Sequence, residues 1–157
     1  MKKILSIAFL IITTIGAMAQ TRLNNPKNLK ELLNDKYASS LFKSTDGIIF
    51  DLENETVGAY FNILDWLEGR VAGLQVFVSR AGIRVPVIRG SAASIFVDEM
   101  RMDPSYLNFL SVNDIAMIKV IKGPFVGAIG NGGGGTIAIY TIKADDEEEE
   151  ESPSQIP

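Results

Sequence analysis

Cysteine and histidine are both absent from the 157-residue chain, and these two absences remove most ordinary routes to catalysis. Without a thiol there is no cysteine nucleophile, no disulfide and no lipid anchor of the lipoprotein kind. With neither residue there is no Cys/His zinc site, no imidazole general base and no histidine pH switch. Positive charge is not in excess either. Fifteen Lys and Arg face nineteen Asp and Glu, a net −4, and no recognition motif for nucleic acid is present, which makes nucleic acid a poor partner. The single tryptophan, Trp66, lies at helical spacing among Ile63, Leu64 and Leu67 and is expected in the core rather than at a ligand.

What the chain does hold is apolar. A hydrophobic content of 46% suffices for one domain with a real core. Met1-Lys2-Lys3, the apolar run Ile4 to Gly16 and Ala17-Met18-Ala19 have the three parts of a secretory signal peptide, with cleavage expected before Gln20 and no membrane span in the mature chain. At the other end Asp145 to Glu151 are seven consecutive acids, read as a disordered, solubilising tail over 144–157. Without the leader lysines the chain carries −6, and without the tail acids the body carries +1.

Between these ends the pattern alternates short helices and short strands. Asn25-Pro26 followed by Leu29, Leu32 and Leu33 predicts a helix from Pro26 to about Asn34, and Ile48 to Leu52 predicts a strand. Asn62 can cap a helix over 62–71, with Gly69 and Gly73 near its end, and Asp103-Pro104 can cap another over 104–110. Strands are expected at 74–78, 85–89, 94–98, 116–121 and 136–142, and a further turn at 124–128 after Pro124. Pro86 is expected at a sheet edge or a strand start, because it lacks a donor. The fold class is therefore α+β, a small mixed sheet with short flanking helices.

Candidate chemistry is thin. The carboxylates Asp65, Glu68, Asp98, Glu99, Asp103 and Asp114 show no spacing that singles out an acid–base pair. Arg70, Arg80, Arg84, Arg89 and Arg101 fall on several elements and are read as solvated or locally paired charges. Gly130 to Gly135 satisfies G-x-G-x-x-G but opens a strand, not the helix that a dinucleotide site requires. Lys122-Gly123 has the wrong order for a P-loop. No catalytic residue, metal or cofactor is expected.

The informative stretch is Ser111 to Lys143. Ser111 and Asp114 have capping-box spacing, Ile115 to Ile121 is apolar enough for a strand buried on both faces, and Gly123-Pro124 stops it. Asn113-Asp114-Ile115, Val120-Ile121-Lys122-Gly123-Pro124, Gly130, Gly134 and Ile137-Ala138-Ile139 together resemble the second half of the plug domain of TonB-dependent outer-membrane receptors, which is worded "NDI..IEVLKGP.AA.YG..G.NGVI.I.T". Asn62 to Val76 resembles the phrase "NVLEALQGRVAGVQV" that opens such plugs, Ile88-Arg89-Gly90 their "IRG", and Ile95 to Asp98 their "YVDG" with Glu99 in place of the glycine. The likeness spans 57–143 and leaves 20–56 as an N-terminal extension.

The resemblance implies a plug-like interaction module. In the family, the arginine of "IRG" and the basic residue before "GP" face a barrel wall, roles that fall here on Arg89 and Lys122. Lys119 stands where the family usually has an acid; it either snorkels to solvent or puts a cation beside the docking face that keeps the domain out of ordinary barrels. Glu55-Thr56-Val57 is only a loose echo of an energy-coupling box. No barrel strands follow residue 143, which suggests a free-standing, exported module at the periplasm or the periplasmic face of the outer membrane, with an outer-membrane or periplasmic protein as partner. A remnant of a truncated receptor and a small-ligand-binding periplasmic domain are the competing readings.

Overall fold

The computed structural model describes residues 26–126 and 133–143. The leader, Gly130, the last two residues of the turn expected at 124–128 and the acidic tail lie outside the described residues. Helices α1 (Pro26–Tyr37), α2 (Ser40–Ser44) and α3 (Ile63–Glu68) accompany strands β1 (Ile48–Asp51), β2 (Leu74–Val78), β3 (Arg84–Ile88), β4 (Ser91–Ala92), β5 (Ser94–Val97), β6 (Met100–Met102), β7 (Ile115–Ile121) and β8 (Thr136–Thr141). The larger sheet runs β1-β7-β8-β5-β6, antiparallel throughout except for the parallel β5–β8 pair, and β2-β3-β4 form a smaller antiparallel sheet.

The larger sheet is the middle layer. Every residue of β7 is buried, as its unbroken apolar run implies. Alternation along the strands sends Ile95, Val97, Ile118, Val120, Ile137 and Ile139 into one core, beneath α3 and the smaller sheet. Phe96, Met117, Ile121, Ala138 and Tyr140 enter a second core on the opposite face, beneath α1 and α2. A bulge between Ile115 and Met117 adjusts the register at the start of β7.

Trp66 anchors the first core, fully buried and edge-on to Phe50 at 5.4 Å between ring centroids. Asn62 caps α3 by accepting from the Leu64 N–H at 3.0 Å, while its amide donates to Leu107 O at 3.1 Å and so ties the helix to the 3₁₀ turn Pro104–Asn108. In the second core Phe42 of α2 packs between Phe96 at 5.2 Å and Phe125 at 4.7 Å. Burying such a side chain contributes about 1.5–3 kcal/mol.

The structure revises several expectations. The helix at 62–71 is regular only through Glu68, with Gly69 at its C-cap, and the one at 104–110 is a 3₁₀ turn over 104–108. The strand expected at 85–89 ends at Ile88, because Arg89 and Gly90, at φ 53° and 81°, form the two-residue turn into β4. Pro86 lies in the middle strand of its sheet, not at an edge. Its missing donor costs nothing there, because β4 pairs only with Val87 and Ile88, and the Pro86 carbonyl accepts from the Ala93 N–H just past the end of β4. α1 extends to Tyr37, beyond the expected Asn34, and α2, β4 and β6 were not anticipated.

Candidate partner-docking surface

At one end of the smaller sheet the chain makes a type I′ turn through Arg89 and Gly90, whose φ values are both positive. The Arg89 N–H reaches Gly73 O at 3.4 Å, and the Lys122 ammonium donates to the neighbouring Ala72 O at 2.8 Å. The backbone of Arg89 and the ammonium of Lys122, the two residues implicated by the family wording, thereby meet the same turn, Ala72-Gly73, where Gly73 itself has φ 82°. Arg89 is exposed, and among the described residues its guanidinium takes no hydrogen-bond or ion-pair partner. The glycine segment closes this end: a Cβ on Gly134 would lie 2.2 Å from Ala92 O, and one on Gly135 would lie 2.4 Å from Ile121 O. A Cβ on Gly123 would meet only open space.

Asn113 and Asp114 belong to the short turn Val112–Asp114, capped by the Ser111 hydroxyl accepting from the Asn113 N–H at 3.2 Å. Asp114 O in turn receives the Ile142 N–H at 2.9 Å. These motif residues hold the ends of β7 and β8 together and stand away from the Arg89 turn.

Lys119 meets neither expectation. It is 2% exposed, covered by α1 and α2, and its ammonium donates to Asn34 Oδ1 at 2.8 Å and to Phe42 O at 2.6 Å. Burial holds the ammonium below the usual lysine range, partly offset by the negative charge of Asp46. It therefore reaches neither solvent nor an exposed docking face, and its charge is not presented to an ordinary barrel.

The other charges have local work. Arg84 pairs with Asp65 at 2.7 Å, Arg70 lies 4.2 Å from the Trp66 ring centroid, Glu68 accepts the Val76 N–H at 2.7 Å, and Asp98 accepts from Thr141 N at 2.9 Å. Asp103 caps its turn through the Ser105 N–H at 2.9 Å, and hydrogen bonding from the Ser105 side chain, then from its backbone, lowers the Asp103 carboxyl pKa. Glu99 accepts from Ser39 and from the Tyr140 hydroxyl. Among the described residues no cluster of acidic side chains is arranged to hold a metal ion, and no helix is long and apolar enough to cross a membrane.

No protein-family model matches the sequence, and no curated protein does. Solved structures do. The chain is similar to the RagAB peptide importer in its closed-closed state, at TM-score 0.51 and 24% identity over 64% of this chain and 12% of that one. It is similar to the siderophore receptor PirA from Acinetobacter baumannii, at TM-score 0.51 and 22% identity over 62% of this chain and 17% of that one. A ferric enterobactin receptor, PfeA from Pseudomonas aeruginosa, aligns at TM-score 0.50 and 19% identity over 64% and 18%. The chain thus spans under a fifth of the length of these TonB-dependent receptors. Its mixed α+β architecture is that of a segment within them.

Proposed function

We propose that the protein is a non-enzymatic, plug-like docking module of the cell envelope, associated with outer-membrane uptake, which binds an outer-membrane or periplasmic protein through Arg89 and Lys122. The observation that carries this reading is the Arg89 turn. A type I′ turn favours Asn or Gly at its first position, and an arginine there costs about 1 kcal/mol of backbone strain. Here the strain presents an exposed arginine, unpaired among the described residues, on the turn whose backbone meets the Ala72-Gly73 segment that also receives the Lys122 ammonium. Such a pair suits an acidic surface, and Arg adds bidentate recognition of carboxylates. The carboxylates considered for catalysis support the same reading, since five of the six are engaged in caps, ion pairs or strand ends.

The test is affinity capture from native envelopes with wild type, Arg89→Glu and Arg80→Glu. Arg80 is an exposed arginine on the Ser79–Gly82 turn and controls for net charge. Wild type and Arg80→Glu are expected to retain the same envelope protein, with capture by Arg89→Glu reduced about tenfold or more, the loss typical of reversing one interfacial charge. Equal capture by all three would remove the docking assignment.

A further inference from the structure

Two positions depart from the wording of receptor plugs: Glu99 stands in place of a glycine, and Lys119 in place of an acid. Both side chains turn toward one short segment of the N-terminal extension, Ser39 to Lys43. Glu99, in the β5–β6 turn at φ 66°, accepts from the Ser39 N–H at 2.6 Å and from the Ser39 hydroxyl. Lys119, on β7, donates to Phe42 O at 2.6 Å and approaches Lys43 O at 3.5 Å. Ser39 is the N-cap residue of α2, and its side chain does not cap the helix itself. Phe42 and Lys43 carry carbonyls of the final turn. A carboxylate thus sits at the N-terminal end of α2 and an ammonium at its C-terminal end, the arrangement that complements a helix dipole and satisfies orphan backbone groups.

Further contacts point the same way. Asn34 bridges the pieces, accepting from Lys119 through Oδ1 and donating through Nδ2 to Lys43 O at 3.0 Å. Lys43 pairs with Asp35 at 2.9 Å, joining α2 to α1. A Cβ on Gly47 would lie 3.0 Å from Lys119 Cγ, so the chain leaving α2 lies directly on the lysine stem. A five-residue helix has little stability of its own, and it persists here because the sheet grips both ends and Phe42 between them.

We infer that α2 is an intramolecular ligand of the plug-like sheet, clamped by Glu99 and Lys119, and that with α1 it seals the sheet face of Phe96, Met117, Ala138 and Tyr140 against any outside partner. The backbone strain at Glu99, where glycine is the unstrained choice, is offset by the contact with Ser39. The inference stands apart from the docking reading, since its readouts require no partner.

The absence of cysteine allows a direct test, because a single introduced thiol is the only one in the chain. Ala138→Cys places it beneath α2, and Ala93→Cys places it in the opposite core; both alanines are buried. Maleimide labelling is followed in the full chain for each reporter, alone and combined with Glu99→Gly or Lys119→Met. The clamp predicts slow labelling at both sites in the parent, then an acceleration of about tenfold or more at position 138 with either clamp variant while position 93 stays protected. Amide exchange at 39–45 should rise in parallel, with β7 and β8 unchanged. Unchanged labelling at 138 in both variants would overturn the clamp, and so would equal acceleration at 138 and 93, which would report general unfolding. Should Lys119→Met fail to fold, Glu99→Gly decides alone, since it puts the turn's preferred residue on an exposed hairpin.

Discussion

Tyr140 shows how one residue couples the extension to the sheet. Its hydroxyl donates to Glu99 at 3.3 Å, and its ring lies 6.5 Å from that of Tyr37 on α1. Burial, followed by the charge and hydrogen bond of Glu99 and the charge of Asp98, pushes its pKa well above the ordinary value of 10.0. The folded state therefore keeps the proton under conditions where the unfolded chain gives it up. The stabilisation is complete below the ordinary tyrosine pKa and is lost as pH rises above it. Tyr140→Phe should cost about 1 kcal/mol at neutral pH through the lost hydrogen bond, and its deficit should shrink or reverse between about pH 9 and about pH 11. Denaturant titrations of both proteins across that range check this; parallel pH profiles would contradict it. Residues with local chemistry were legible in the sequence: Asn62, Asp103 and Ser111 each cap a turn two residues away. Lys119 was not, because its acceptors are 77 and 85 positions distant, and a lysine in an apolar run looks the same whether it snorkels or bonds inward.

Among the elements, β1, β5, β7 and β8 of the larger sheet are readable from their apolar, β-branched runs, and the unbroken run of β7 marks it as buried on both faces. α2, β4 and β6 escaped because they are five, two and three residues long and are held by tertiary contacts, not by periodicity. The glycines after β7 separate two kinds of role. A Cβ on Gly134 would run into the carbonyls of Ser91 and Ala92, which are backbone and cannot swing aside, while one on Gly123 would meet nothing within 4 Å. Gly134→Ala should therefore destabilise by at least about 2 kcal/mol, and Gly123→Ala should stay within about 0.5 kcal/mol of wild type. Thermal or denaturant unfolding of the two variants side by side measures the difference. Equal stability would show that the β4–β8 approach is looser than the structure has it.

For the whole molecule, the resemblance carried by residues 57–143 located the fold, and it left 20–56 without a role. That gap had a physical origin. β1 supplies the edge strand of the sheet through pairs such as Phe50 with Ile118, and α1 and α2 supply the roof of the second core, so their purpose appears only once the sheet exists. One sheet face lies under this roof and the other under α3 and the smaller sheet, and the proposed docking point is at the rim, where Arg89 stands exposed on its turn. The most direct measurement of that claim is photo-crosslinking in living envelopes, with a photoreactive amino acid placed at Arg89, at Arg80 or at Ala138. Position 89 is expected to give one adduct with an envelope protein, and positions 80 and 138 none. No adduct from position 89 in cells that make the protein abundantly, or the same adduct from position 138, would contradict it.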